Sequence, residues 1–392
     1  MRILFVSDSY FPHINGVYYF VCRVAPLLQD KGHTVAVIAP SDSTSSFKKK
    51  IDNIDVYGLP SVPSIVYSSI RIPVTFLLKS RLLKIINGFK PDIIHVQDHF
   101  PISKAVVALN KDLKIPLIAT NHFMPVNFTI FFQREEWKRR LENFLWREFS
   151  KVFNHADLVT TPSEAGIRII RPILQPHVEA IAISSGIDRE KFNPGGDSRH
   201  VREKYSIPGK QVLLYAGRLD PEKHVEEILQ AVAIAVKKID FCLVIVGKGT
   251  SRKHLEQLAG DLGIGENVIF TGFVPEEDLP YFYKLSRCFI IASIGELLSL
   301  VTLQAMASGL PVIAVNAGSL GELVRNGVNG YLYDEGDIPA IVRGIVNIFT
   351  NDGLHREMSE KSLEFVQRHD IHEIVGSFEN LYQKILTRQE VL

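Results

Sequence analysis

The sequence predicts an α/β protein of two doubly wound parallel-sheet domains, on three observations. Short apolar runs alternate with helix-length amphipathic patterns through both halves of the chain, the signature of parallel strands joined by crossover helices. At 392 residues the chain exceeds what one hydrophobic core usually fills, so two domains are expected. A Gly/Ser/Pro-rich stretch without periodicity, residues 184–196, interrupts the alternation and marks the join. The expected domains are 1–190 and 191–370, followed by a last helical segment, 371–392.

In the first half the apolar runs predict strands at residues 2–7, 34–39, 92–96, 117–120 and 158–161. In the second they predict strands at 211–216, 241–246, 268–271, 288–292 and 312–315. The segment ahead of Pro91 reads as a crossover helix. The last helix carries Ile374, Phe378, Leu381 and Ile385 at helical spacing, an apolar stripe that needs a surface to cover it. Residues 299–308 form the most informative pattern: Ser299 caps a helix that stops at Gly309. The free N–H groups of Leu300, Val301 and Thr302 then make an anion site, strengthened by the positive end of the helix dipole. Glu296 stands just ahead, and Gln304, four residues after Leu300, carries its amide on the same face.

Hydrophobic residues make up 46% of the chain and charged residues 22%, a balance that argues against disorder. A net charge of +1 supplies no bulk attraction to nucleic acid. The charge is uneven, however: residues 1–190 carry +6 and 191–392 carry −5, so the first half can face an anionic surface. Cys22, Cys242 and Cys288 are widely separated and read as small hydrophobes, not as a disulfide frame or a zinc site. An acid arrives at Asp8, too early for a signal peptide, and no uncharged apolar run reaches the roughly 18 to 20 residues of a membrane span. A cytoplasmic protein is expected, either free or peripheral on the inner face of the membrane.

Several strand ends carry candidate chemistry. Asn15-Gly16 follows the first strand, where a residue without Cβ lets backbone approach a ligand. Arg218 and Lys223, in Gly217-Arg-Leu-Asp-Pro-Glu-Lys, follow the first strand of the second domain and together can neutralise a diphosphate. Val246-Gly-Lys-Gly begins like a dinucleotide fingerprint, but Arg252 replaces the third glycine, which weakens a nicotinamide reading. No Asp-x-Asp occurs, His13, His95, His99 and His122 lack metal-ligand spacing, and no Gly-x-Ser-x-Gly elbow is present. Residues 56–91 contain no acid but do contain Arg71, Lys79, Arg81, Lys84 and Lys90 among Ile70, Ile72, Phe76 and several leucines. Residues 128–153 mix Phe128, Phe131, Phe132, Trp137, Phe144 and Trp146 with basic side chains, so both segments can lie on anionic lipid.

Glu296 to Gln304 resembles the Glu-x7-Glu element of the family 4 retaining glycosyltransferases, with Gln304 where that family usually carries its second Glu. Gly217-Arg218 to Lys223 matches the family's Gly-Arg-x4-Lys clamp, and Thr120-Asn-His122 its Thr-x-His segment. The resemblance implies the GT-B architecture, two Rossmann-like domains facing across a cleft with the last helix crossing back to the first. It implies a nucleotide sugar as donor, no further cofactor and no metal. Arg218, Lys223, Leu300 and Val301 would hold the diphosphate, Glu296 the sugar hydroxyls and His122 the transferred sugar. Gly16 and Lys248 would reach the diphosphate, Phe273 and Val274 would bracket the base, and Gln304 would meet the ribose.

The motifs together are similar to the glycolipid-forming members, which implies a hexosyl donor, UDP-glucose before UDP-galactose or GDP-mannose, and a diacylglycerol-type or other membrane lipid as acceptor. A soluble acceptor, a GT-B sugar-nucleotide epimerase and a non-catalytic GT-B-like binding protein stay open beside it. Replacing Glu by Gln at 304 keeps a carbonyl acceptor and loses a charge, so weaker donor binding with preserved chemistry is expected.

Overall fold

The structure, a computed structural model, describes residues 1–10, 16–64, 71–125 and 134–390. Asn15, Ile70, Phe128, Phe131 and Phe132 lie outside the described residues. The chain divides into two compact units, Met1–Gly186 with Ile371–Leu392, and Ile187–Asp370. The first division falls four residues ahead of 190.

The first unit is built on an eight-stranded sheet. Its strands run in the order Ala180–Ala182, Leu158–Thr161, Leu117–Thr120, Ile93–Val96, Arg2–Val6, Thr34–Pro40, Ile54–Leu59 and Phe47–Ile51. All pair in parallel except Phe47–Ile51, which runs antiparallel to Ile54–Leu59. The central strand explains the apolar runs: Ile3, Leu4, Phe5 and Val6 are fully buried, because helices cover both faces of a parallel sheet. From this strand the chain first builds outward through Thr34–Pro40 and Ile54–Leu59, then returns to add Ile93–Val96 on the other side. The switch point therefore lies between Arg2–Val6 and Ile93–Val96.

Residues 56–91 hold a strand pair as well as the expected crossover helix. Strand Ile54–Leu59 is followed by a short antiparallel pair, Ser61–Pro63 with Arg71–Pro73, and only then by helix Leu78–Phe89. That helix buries Leu78, Leu82, Ile86 and Phe89 on one stripe. The stripe of the last helix, Ile371–Glu390, packs in one cluster with Ile3, Phe5, Phe20 and Val24 of the first unit. Polar ties reinforce the return: the Tyr382 hydroxyl lies 2.8 Å from His95 Nδ1, and Lys31 and His33 each lie 2.9 Å from Glu379.

The second unit has six parallel strands in the order Val268–Gly272, Phe241–Val246, Gln211–Ala216, Cys288–Ile291, Val312–Val315 and Gly330–Tyr333. Here too the chain builds outward from Gln211–Ala216 and then returns, so the switch point lies between that strand and Cys288–Ile291. Cys242 and Cys288 are fully buried within the strands and Cys22 partly so; all three are free thiols.

Candidate functional site

In open α/β sheets ligands gather beyond the strand carboxyl ends at the switch point. In the second unit that position belongs to the loops after Gln211–Ala216 and after Cys288–Ile291. Lys223, ending the short turn Pro221–Lys223, crosses from the first loop to the second. Its ammonium lies 2.7 Å from Glu296 Oε1 and 3.1 Å from Ser293 Oγ. The side chains of Lys223 and Glu296 are only 13% and 17% exposed, so the pair is largely shielded from water yet still reached by it. The backbone of Glu296 is braced as well, since Ser319 N–H donates to its carbonyl over 3.2 Å. Gly318, at φ +53, sits so close to that carbonyl that a Cβ would come within 2.8 Å of it.

In the structure both cations of the expected clamp are already paired with carboxylates. Arg218 is engaged by Asp220 and by Glu222, the latter at 2.6 Å, while Lys223 holds Glu296. An anion reaching this loop must therefore share both cations with carboxylates. Tyr215 fixes the loop by donating its hydroxyl to the Arg218 carbonyl over 2.7 Å.

The glycines of Val246-Gly-Lys-Gly serve packing. A Cβ at Gly247 would stand 1.8 Å from the Gly217 carbonyl oxygen, and one at Gly249 would stand 2.2 Å from that of Leu219. The turn thus lies directly on the Arg218 loop, bonded by Leu219 N–H to the Lys248 carbonyl at 2.9 Å. Lys248 and Phe273 are brought together, the ammonium 5.4 Å from the ring centre and the ring 69% exposed. Val274 is not part of that face: it turns into the core, 7% exposed.

Helix Leu300–Ala307 begins at Ser299, as its cap. Ser299 Oγ accepts from both the N–H and the hydroxyl of Thr302, at 3.4 and 2.8 Å. Thr302 therefore does not offer its N–H to an anion, and the orphan donors of the first turn reduce to Leu300 and Val301. Gln304 is also altered by its neighbours. Its carbonyl oxygen accepts from the hydroxyl of buried Tyr283 over 2.8 Å, so the acceptor expected to face a ligand is already used.

In the first unit His122 follows strand Leu117–Thr120 and lies 3.0 Å, through Nε2, from Gln97 Oε1. Its ring packs 5.0 Å from that of Phe20. Burial pushes its pKa down to about 3, so the ring is neutral at ordinary pH. A neutral ring whose Nε2–H serves Gln97 presents Nδ1 as an acceptor. Gly16 opens helix Gly16–Asp30, is exposed, and among the described residues has no atom within 4 Å of where a Cβ would stand.

Some groups escaped the sequence reading. Asp8 and Asp98 meet at the first unit's switch point: Asp98 Oδ2 accepts from Asp8 N–H at 2.6 Å, and Asp8 accepts from Ile102 N–H and Ser103 N–H at 2.9 and 3.0 Å. Burial and the neighbouring Asp98 raise the Asp8 pKa well above the ordinary carboxylate range. His99, 1% exposed, has no hydrogen-bond partner on either ring nitrogen among the described residues and stacks on Phe100. Asp98-His99 following an apolar strand was the available signal. For Ser293 and Tyr283 there was none. Among the described residues one set of potential metal ligands occurs, His224, Glu227 and Glu335, with donor atoms within 4.8 Å of one another.

Two Rossmann-like units, the second with a cation–carboxylate pair and a helix N-terminus at its switch point, define a protein of the GT-B class. Comparison with known proteins agrees. Residues 14–191 match the model for Glycosyltransferase Family 4, and residues 197–365 that for Glycosyl transferases group 1. An alpha-monoglucosyldiacylglycerol synthase of Streptococcus pneumoniae is 29% identical over 100% of this chain and 90% of its own length. A GDP-mannose-dependent alpha-mannosyltransferase of Corynebacterium glutamicum is 29% identical over 94% and 85%. Among solved structures, sucrose-phosphate synthase from Thermosynechococcus elongatus superposes with a TM-score of 0.79 at 20% identity, covering 99% of this chain and 100% of that one. Anabaena HepE in complex with UDP-glucose superposes at 0.74, also at 20% identity and over 100% of both chains. The chain belongs to the family 4 glycosyltransferases.

Proposed function

We propose that this glycosyltransferase is a retaining, metal-independent enzyme that moves a hexosyl group from a nucleoside-diphosphate sugar, UDP-glucose first, to a hydroxyl of a membrane lipid. The observation that carries the reading is the contact of Lys223 with Glu296 and Ser293 at the second unit's switch point. It joins a cation for the leaving diphosphate to a carboxylate for the sugar hydroxyls. Lys223, Arg218 and the N–H groups of Leu300 and Val301 stabilise negative charge as the bond from the sugar's anomeric carbon to the phosphate oxygen breaks. The acceptor hydroxyl forms the new bond from the same face and passes its proton to the departing phosphate. His122, neutral and with Nδ1 available, accepts from a sugar hydroxyl.

The lipid acceptor is supported by the name of one relative, a monoglucosyldiacylglycerol synthase. It is supported too by surface chemistry. Val62 and Ile72 are cross-strand partners, both exposed, and lie close in sequence to exposed Phe76 and Leu77. Exposed Lys79 and Lys84 follow on helix Leu78–Phe89, and Trp137 and Phe144 are exposed on helix Glu135–Phe153, which carries five cations and four carboxylates. Apolar side chains edged by cations suit an anionic bilayer surface. No helix of the described residues is long and apolar enough to cross a membrane. Peripheral attachment at the inner face is part of this reading.

The test is a donor panel of UDP-glucose, UDP-galactose and GDP-mannose, each with and without diacylglycerol in anionic vesicles. Release of nucleoside diphosphate should require the lipid, and the product should be α-linked by NMR. A β-linked product would overturn retention, and lipid-independent release or turnover with a soluble sugar acceptor would overturn the acceptor.

A further inference from the structure

The Tyr283–Gln304 contact bears on how the nucleotide is read. Tyr283 is fully buried, and burial raises the pKa of its phenol, so it remains an O–H donor. Among the described residues the only side-chain partner of that hydroxyl is Gln304 Oε1, at 2.8 Å. If the amide were turned over, the phenol hydrogen would be left buried without an acceptor, a cost native structures rarely carry. The amide orientation is therefore set from below. Gln304 itself is partly exposed and lies one turn along from Leu300, on the face that begins with the free N–H groups. With Oε1 engaged, what remains for a ligand is Nε2, with hydrogens to give.

We propose that Tyr283 is a positioning residue that makes Gln304 a hydrogen-bond donor to the nucleotide ribose, so that this enzyme reads a ribose oxygen as an acceptor. The inference rests on the proposed nucleotide site. A carboxylate at 304 would do the opposite, since it can only accept, and it would require the ribose hydroxyl to donate. The two arrangements differ in what they tolerate on the ribose. A methyl ether keeps an oxygen that accepts but has no hydrogen to give, whereas a deoxy carbon offers neither.

The experiment is competitive binding of UDP, 2′-deoxy-UDP, 3′-deoxy-UDP, 2′-O-methyl-UDP and 3′-O-methyl-UDP to the full-length protein and to its Gln304→Glu and Tyr283→Phe variants. At one of the two ribose positions the native protein should lose about tenfold with the deoxy analogue but no more than about threefold with the ether. Gln304→Glu should lose about tenfold or more with both, because a charge-assisted bond needs the missing hydrogen. Tyr283→Phe removes one oxygen and leaves the amide free to turn, so the donor is no longer preorganised and the deoxy penalty should shrink toward that of the ether. A merely structural role for Tyr283 would lower stability and leave the ether-to-deoxy ratio unchanged; that result overturns the proposal. So does a native protein that rejects ether and deoxy equally. Failure of both UDP and GDP to bind the native protein would instead overturn the nucleotide site, and the proposal with it.

Discussion

Lys223→Met removes the ammonium from Glu296 while keeping most of the side-chain volume, and its cost can be worked from the structure. At 2.7 Å the gross attraction within the pair is roughly 6 kcal/mol at an effective dielectric constant near 20. Desolvation offsets much of this, yet breaking one side of a buried pair strands the other charge and costs about 3–5 kcal/mol when burial is complete. Because water reaches both groups here, about 2–3 kcal/mol of stability is expected to be lost, read from urea unfolding. The catalytic loss is separate. Removal of a single preorganised donor from a developing anion costs about two to three decades in kcat, or roughly 2.7–4 kcal/mol. Glu296→Gln combined with Lys223→Met should recover at least 1 kcal/mol of stability relative to the sum of the single variants, and no turnover. Turnover of Lys223→Met within about fivefold of native, or stabilities that simply add, would refute the account of the pair.

Acid should destabilise the first unit. Burial holds His95, His99 and His122 down to about 3, against about 6.5 in an unfolded chain, so the unfolded state binds more protons between these values and stability present at neutral pH is lost as pH falls below about 6.5. Each ring contributes about 1.4 kcal/mol per pH unit, partly opposed by Asp8, whose raised pKa favours the fold on acidification. Both tryptophans, Trp137 and Trp146, lie on helix Glu135–Phe153, so fluorescence reports the first unit alone, and a urea midpoint unchanged from pH 7 to pH 5 would contradict the expectation. Excess EDTA should leave turnover unchanged; loss restored by Mg²⁺ or Mn²⁺ would return attention to His224, Glu227 and Glu335. Phe76→Ser with Leu77→Ser should weaken binding to phosphatidylglycerol vesicles at least tenfold, on the order of what one large apolar side chain contributes when buried, and unchanged pelleting would move the docking face elsewhere.

Most of the strands that were legible in the sequence are buried on both faces, Val268–Gly272 being only partly so. A strand such as Phe241–Val246, with every residue buried, has no polar position to interrupt its apolar run. Phe47–Ile51 was illegible for the opposite reason: it is an edge strand whose Lys48, Lys49 and Lys50 are exposed, a common guard against further pairing, so it reads as loop. Ala180–Ala182 is too short to show a period. In the site, local features were readable, among them the Ser299 cap, the Gly309 stop and the Gly217-Arg218 turn. Partners were not. Lys223 meets Glu296 across 73 positions, and His122 meets Gln97 across 25.

The helix that starts after Glu296 shows the division most plainly. Sequence alone determined that it begins at Ser299, ends before Gly309 and carries Gln304 above its first turn, because caps, stops and helical spacing are set by neighbours along the chain. Only the tertiary structure decided what those groups can still do. Ser299 takes the Thr302 N–H, Lys223 comes from another loop to hold Glu296, and Tyr283 from below claims the carbonyl of Gln304. Hydrogen-bonding capacity is finite, and what remains for a ligand depends on which distant side chains have already used it.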